Sequence, residues 1–524
     1  MEWGLAVACS PLLVLGMSVC EGAYTREGTC RKRQMGYNLN VGRGLSRPHY
    51  DKMAPAAWSL RSDFWQNGGL TMRNANIRLI GLALTAASAL WSVDAQTLFW
   101  IYDADDQDTR HRVWGYSVTE DGRYVVGNCI SGWENYDANR KLPFLWDRQT
   151  RTFNPFFANC SNTAGVEARD VAYVYGDYGQ NDLTVVGGIP GQNASTPFVW
   201  SQLANRCHTV NTANIGFAYS LANDYIFAGV DRSSSTPKAV IWGSSRPRPG
   251  LYRKVLQNGP SEAYAIAKWI SRIVVGWANN SAGQRQAVMW IHTGVRDGNP
   301  TPQYFLPPTN SGLRADSAVA VSANGRFILG NGSGFIQDAA VAAIFIWQWD
   351  GRNPSAITLQ EIPTSPLSFN ASQALGISAD GNTIVGYRNT MAGFPPRPEP
   401  RAAQWRKTGS GWVYEDLNQV YSNLLRDGSV LLVANAVSPD GRHIVGWGYN
   451  GTRRRQEAFL LTLPCASHQG DVDLSGCIDD ADLLAILFAF GSTGSSAGRA
   501  DTNCDGVVDD ADLLTVLFNF GSGC

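Results

Sequence analysis

Charge imbalance, histidine and long apolar runs are what this chain of 524 residues has least of. Lysine and arginine number 43 against 44 aspartates and glutamates, a formal net charge of -1. So balanced a chain projects no long-range field, which sets aside nucleic acid and anionic membrane as partners. There are six histidines and no His-x-x-x-His pair among them, so no metalloprotease helix is indicated. The body of the chain carries no G-x-S-x-G elbow and no phosphate-cradling glycine loop ahead of a helix, the sequence signs of a serine hydrolase or a nucleotide-binding enzyme. The apolar run Leu79 to Trp91 holds 13 residues, short of the roughly 20 that a membrane-spanning helix needs, and no transmembrane anchor is expected in the mature chain.

What is abundant is glycine, at 54 residues, and tryptophan, at 18, in a chain that is 44% hydrophobic. That mixture suits a turn-rich β protein with enough apolar material for a core. The stretch MRNANIRLIGLALTAASALWSVDAQ at 72–96 has the parts of a secretory signal: Arg73 and Arg78, then the apolar run, then the small residues Val93 and Ala95. The signal peptide is accordingly placed at 72–95, with the mature chain starting near Gln96. Residues 1–71 precede it and contain no copy of any later repeat, which reads as a mis-assigned or disordered N-terminal extension. The rival signal, MEWGLAVACSPLLVLGMSVCEG, lacks a basic flank and carries Glu2. Ten cysteines, seven of them after Met72, fit an exported protein. Cys465, Cys477, Cys504 and Cys524 allow three pairings; Cys129, Cys160 and Cys207 leave an odd one, and buried thiols are the alternative for some.

A unit recurs through the body. YSVTEDGRYVVG (116–127), VAVSANGRFILG (319–330), LGISADGNTIVG (375–386) and NAVSPDGRHIVG (435–446) are clear copies, and 171–187, 219–229 and 264–276 are looser ones. The closing glycines Gly127, Gly187, Gly229, Gly276, Gly330, Gly386 and Gly446 lie 42 to 60 residues apart. Each is followed by a variable loop and a short strand such as PFLW (143–146) or AVIW (239–242), and six of these seven strands end in tryptophan. A further stretch, such as LYRKVL (251–256) or WVYEDL (412–417), makes four strands per unit. Asp-Gly or Asn-Gly between apolar runs is a hairpin signal, because glycine takes the positive φ that the turn requires. Seven four-stranded units at this spacing indicate an all-β, seven-bladed β-propeller over 96–464. The seventh unit lacks a fourth strand, and TLFWIYD (97–103) belongs to no complete unit. It is expected to close the ring as the outer strand of the last blade.

This pattern resembles the HAF family of probable extracellular repeats, whose consensus pairs an S-A-D-G-x-x-V-V-G hairpin with an A-F-x-W strand. The resemblance covers about 97–463. It implies an exported repeat domain and names no reaction.

Catalytic candidates in the body are few. Asp103, Asp105, Asp106 and Asp108 of the DADDQD run lack a glycine turn and a trailing acid, and read as a solvated loop. Asp121, Asp380 and Asp440 are accounted for by turn chemistry. Catalytic residues therefore stay unknown, although carboxylates from different blades can converge without a sequence signal. Trp133 and Tyr136 in a variable loop suit stacking on a carbohydrate as well as ordinary exposure.

The last residues say nearly the same thing twice, GDVDLSGCIDDADLLAILFAFG at 470–491 and ADTNCDGVVDDADLLTVLFNFG at 500–521. At loop positions 1, 3, 5, 9 and 12 stand Asp471, Asp473, Ser475, Asp479 and Asp482, then Asp501, Asn503, Asp505, Asp509 and Asp512. Gly476 and Gly506 occupy position 6, and Cys477 and Val507 at position 7 offer backbone carbonyls. Such oxygen-only spacing, with no imidazole, matches two Ca2+ ions better than magnesium or zinc. The segments before the loops are too polar for an entering helix, so only the exiting helices are expected. Their apolar residues Leu483, Leu484, Leu487 and Phe488, with Leu513, Leu514, Leu517 and Phe518, are expected to pack helix against helix.

The duplication resembles a type I dockerin over 470–521. The resemblance implies calcium-dependent folding and docking to a cohesin-like or cell-surface protein, with Asp480, Ala481, Asp510 and Ala511 at the partner-facing positions. The chain departs from that family in lacking a hydroxyl there and a basic pair later in the helix. The expected organisation is thus a propeller at 96–464 followed by a small α-helical dockerin-like domain of two calcium loop-helix motifs at 465–524. Two functions follow from it. One is a secreted or cell-surface, non-catalytic binding protein; the other is an extracellular carbohydrate-active enzyme, a glycoside hydrolase or polysaccharide lyase, carrying a dockerin.

Overall fold

In each clear copy the Asp-Gly or Asn-Gly pair closes a turn in which a serine or threonine hydroxyl bonds the aspartate or asparagine side chain. Gly122 N–H donates to Thr119 O at 2.9 Å, and the Asp121 carboxylate accepts from Thr119 Oγ1 at 2.6 Å and from Arg123 N–H at 3.0 Å. Ser378 and Asp380, and Ser438 and Asp440, repeat the arrangement. Gly122, Gly325, Gly381 and Gly441 have φ between 65° and 77°, where a Cβ is strained. Turn chemistry is the work of these aspartates.

The computed structural model describes residues 96–103, 112–130, 141–154, 166–175, 181–190, 195–209, 216–243, 252–296, 298–308, 313–336, 339–349, 351, 353, 357–363, 372–392, 397–465, 467–493 and 497–524. The expected extension at 1–71, the expected signal at 72–95, and Asp105, Asp106, Asp108, Trp133, Tyr136 and Cys160 lie outside the described residues.

The body is a seven-bladed β-propeller: seven antiparallel sheets of four strands. The first strands of the blades are Arg112–Val118, Glu167–Tyr175, Gly216–Leu221, Ser261–Ile266, Arg314–Val321, Ser372–Ile377 and Val430–Val437. All seven contribute to the lining of one central cavity of 170 Å3, so they are innermost. The last blade is completed by Thr97–Ile101, which pairs with Arg455–Thr462 in the register Thr97 to Thr462 and Ile101 to Ala458. The two ends of the ring are therefore stitched by hydrogen bonds, as the missing fourth strand required. Between blades the cores are continuous. Phe144 and Trp146 of the first blade pack with Ile101, Val445 and Leu460 of the last. All six repeat tryptophans, Trp146, Trp200, Trp242, Trp290, Trp347 and Trp405, are buried.

A β-bulge interrupts every innermost strand at the same place, at Tyr116, Arg169, Tyr219, Tyr264, Val319, Leu375 and Asn435. The extra residue faces the channel and bends the strand. It also explains the closing glycine of each unit. A Cβ on Gly276 would meet Glu262 O at 1.9 Å, and one on Gly446 would meet Val433 O at 1.9 Å, distances no side chain tolerates. The glycine recurs because the bulged strand lies against its Cα.

Among the described residues the tail holds two α-helices, α2 (Asp480–Ala489) and α3 (Asp510–Phe518), and the body one short α-helix, α1 (Leu417–Val420). The tail's disulfides are Cys465–Cys504 and Cys477–Cys524, and Cys207 in the body is disulfide-bonded as well. The expected helix-on-helix face is only partly right. Ile486 and Val516 are buried with Ile478, Val508, Ala497 and Ala500, while Leu483 and Leu513 pack beside them. Leu484, Leu487, Phe488, Leu514, Leu517 and Phe518 are exposed, Phe488 at 87% and Phe518 at 82%. The reason is geometric: Asp482 and Asp512 are drawn inward in the first turn, and the face in line with them at helical spacing runs through Ile486 and Ala489 or Val516.

Replacing Gly276 with alanine should therefore cost about 2 kcal/mol or more, since the backbone has to move. The check is the thermal midpoint of the full chain, set against Gly409→Ala, where no atom stands within 4 Å of a new Cβ and the backbone is not left-handed. Equal midpoints would overturn the bulge account.

Candidate metal centre

Both tail loops are built by backbone donors that converge on position 12. Asp482 Oδ1 accepts from Val472 N at 2.7 Å and Asp473 N at 3.1 Å, and its Oδ2 accepts from Asp479 N at 2.9 Å. Asp512 repeats this with Thr502 N at 2.7 Å, Asn503 N at 3.2 Å and Asp509 N at 2.9 Å. Asp479 and Asp509 are the N-caps of α2 and α3, accepting from Ala481 N and Ala511 N, so each helix begins one residue after position 9. The reciprocal cap is a capping box, and it fixes where the carboxylates of positions 9 and 12 lie. Position 1 is held from the loop: Asp471 Oδ2 accepts from Gly476 N at 3.1 Å, and Asp501 Oδ2 accepts from Gly506 N at 2.9 Å. Gly476 and Gly506, at φ 83° and 92°, supply the sharp turn.

In the first loop the ligand atoms of Asp471, Asp473 and Asp482 lie within 4.8 Å of one another. Asp471 Oδ1 is buried and accepts no hydrogen bond. Burial first, and then the charges of Asp482 and Asp473, push the Asp471 carboxyl up to about 6. Three acids gathered around an oxygen with no donor form an arrangement that a hard cation relieves. These residues fit Ca2+. Ser475 Oγ donates to Cys477 O at 2.9 Å, which puts the position 5 hydroxyl and the position 7 carbonyl side by side. In the second loop Asp501 is likewise raised, by burial and by Asp512 and Asp505. There Asp505 accepts from Asn503 Nδ2 at 3.0 Å and from Val507 N at 3.0 Å, so its oxygens are turned toward loop donors. Asp480, Ala481, Asp510 and Ala511, expected from the resemblance at partner-facing positions, are all exposed.

The tail is pinned to what precedes it. Cys465–Cys504 ties the connecting segment to the second loop. His468 N donates to Thr502 O at 3.0 Å, Gly470 N donates to His468 Nδ1 at 3.2 Å, and His468 Nε2 stands 2.9 Å from Arg499 O. Nδ1 is thus the acceptor, which puts the proton on Nε2. Arg499 in turn donates to Val472 O at 3.1 Å and Asp471 O at 2.5 Å.

Carboxylates near the channel are each committed to fold bonds. Asp170 accepts from Ser117 Oγ at 2.6 Å, Ser220 Oγ at 3.1 Å, Leu221 N at 2.8 Å and Lys268 Nζ at 3.2 Å. Glu120 accepts from Trp269 Nε1 at 2.7 Å and Asn223 Nδ2 at 3.0 Å. Glu262 accepts from Arg232 at 2.8 Å and Trp277 Nε1 at 3.4 Å. None of these hubs was visible in the sequence, since their members lie 15 to 149 residues apart.

No family model matches the chain, and no curated protein matches it. Among solved structures it is similar to TolB from Acinetobacter baumannii, at 13% identity and a TM-score of 0.32, over 65% of this chain and 80% of that one. It is also similar to the Dos1 propeller, at 7% identity and a TM-score of 0.36, over 70% and 94% of the two chains. A third likeness is to the GH93 alpha-L-arabinofuranosidase of Fusarium graminearum, at 10% identity and a TM-score of 0.32, over 70% and 97%. Likeness this distant carries no functional argument; the propeller assignment rests on the strand pairing.

His443 gives the body a pH dependence. Burial, opposed by Asp440 and aided by Arg148 and Arg442, pushes its imidazole from 6.5 down to about 4. The folded state thus prefers the neutral ring. Its contribution is complete above the ordinary value of 6.5 and is lost as pH falls toward 4. Thermal midpoints measured across that window should fall, and His443→Gln should flatten the fall; an identical slope in the variant would exclude His443 as its source.

Proposed function

We propose that the chain is an exported, non-catalytic propeller that binds or presents a ligand and is tethered through a calcium-stabilised, dockerin-like tail. The observation that carries this reading is the convergence of Asp471, Asp473 and Asp482 around a buried oxygen with no donor. The duplication of the same loop register at Asp501, Asn503, Asp505, Asp509 and Asp512 supports a second ion. Cys477 and Val507 would add their carbonyls.

Two further features support a tether. The exposed acids and alanines at 480, 481, 510 and 511 stand on the same helices as the exposed Leu487, Phe488, Leu517 and Phe518. A patch of that kind, repeated in both halves of a small domain, suits a cohesin-like or cell-surface protein partner. The two tail disulfides suit an oxidising compartment, and with the 72–95 segment they support secretion. Among the described residues no helix is long and apolar enough to cross a membrane. The commitment of Asp170, Glu120 and Glu262 to fold bonds favours binding over turnover in the channel.

Calorimetric titration of the chelator-treated full chain should show two calcium ions bound, with Asp471→Asn removing one and Asp501→Asn the other. Absence of any calcium binding would defeat the tail reading. Incubation of the chain with a polysaccharide panel should give retention on some members without released sugar; any released sugar would establish the carbohydrate-active alternative.

A further inference from the structure

The first tail loop is also the part of the tail that meets the ring. Leu474, at loop position 4, is 4% exposed and packs against Ala323, Ala379 and Trp269, residues of three different blades at one mouth of the channel. Asn324 Nδ2 donates to Leu474 O at 2.8 Å and to Ala379 O at 2.8 Å, so one ring side chain clamps the loop tip to a neighbouring blade. Arg326 Nη1 lies against Gly476, only 2.3 Å from where a Cβ would be. Beneath the loop is a cavity of 640 Å3 whose walls come from both parts: Glu120, Trp269 and His443 from the ring, Val472, Asp473 and Arg499 from the tail. The connection is short. Arg455–Thr462 ends the last blade on this face, and Asp471 already belongs to the loop.

The tip is shaped by the same turn that gathers the acids. Leu474 has φ 58°, and its neighbours on either side, Asp473 and Ser475, are proposed ligands. We infer that calcium in the first loop sets a plug: ion binding holds Leu474 in the Trp269–Ala323–Ala379 socket, and ion loss releases the tail from the mouth and opens the cavity to solvent. The inference rests on the calcium reading given above. Without the ion, the like charges of Asp471, Asp473 and Asp482 favour an open loop, and an opened loop does not present Leu474 and its carbonyl together to Asn324. The second loop has no such role. Its position 4 residue is Cys504, tied by disulfide to Cys465.

Hydrogen exchange of the full chain, read by mass spectrometry with calcium chloride alone and with chelator, tests this. Calcium is expected to slow exchange about tenfold or more in the loop segment 471–478 and also in the ring turns 322–326 and 378–381. Leu474→Ser should keep two calcium ions per chain and lose the protection of the ring turns, and Trp269→Ala, which removes a socket wall and the donor to Glu120 but leaves every tail residue in place, should do the same. Slowed exchange in the tail with unchanged ring turns would overturn the plug and leave the calcium reading intact. No calcium uptake at all would overturn both.

Discussion

The close approach of a bulged inner strand to a glycine on the next strand is the constraint that the propeller repeats seven times. Each bulge delivers one extra side chain to the channel and pushes a carbonyl toward the second strand, and the room for it exists because the residue opposite has no Cβ. The signature that looks in sequence like the end of a hairpin is therefore a packing requirement. It leaves the bulge positions free to vary, and they do: Tyr116, Arg169, Tyr219 and Tyr264 on one side of the channel, Val319, Leu375 and Asn435 on the other. The polar half is knitted together. Arg169 stacks over Tyr116 at 4.6 Å, and Tyr219 meets Tyr264 edge to face at 5.6 Å.

Local rules made the ring readable. The Ser/Thr-x-Asp-Gly turns, the terminal tryptophans and the missing strand of the seventh unit are all short-range patterns, and Thr97–Ile101 takes the vacant outer edge beside Arg455–Thr462. The tail loops were readable for the same reason, since their proposed ligands fall within twelve positions. What single-chain reading could not supply is anything that depends on which blade faces which. Asp170 gathers Ser117, Ser220 and Lys268 across up to 98 residues, and Asn324 reaches Leu474 across 150. The helix faces failed for a different reason. Four apolar positions per helix were all assigned inward, yet Asp482 and Asp512 must point in to close their loops, and a helix of nine or ten residues has only one such face.

That inward turn links tail stability to loop geometry. Asp482 is fully buried, accepts three backbone N–H groups and belongs to the acid cluster of the first loop. The same carboxylate thus ends the loop, begins the helix and faces the position where a cation is proposed. Loop, cap and core are one unit, small enough that disulfides are needed to complete it. Cys477–Cys524 ties the first loop to the chain end, and Ile478 N and O both bond to residues just before that end, Ser522 and Gly521.

The two halves of the tail then differ where the duplication is most alike. At position 4 both loops enter the left-handed region, Leu474 at φ 58° and Cys504 at φ 64°, so both loop tips project in the same way from their own turn. One tip carries an apolar side chain into a socket on the ring, and the other carries a sulfur bonded to Cys465 in the connection that leaves the ring. A repeated module has two equivalent tips, and here both are used as fastenings. The covalent one fixes the tail to its own tether whatever the state of the loops. The apolar one depends on the loop holding its shape, because a single leucine contributes roughly 1.5–3 kcal/mol when fully buried and nothing when the tip swings out. Attachment and docking are therefore separable in this chain, and only docking passes through the acid cluster.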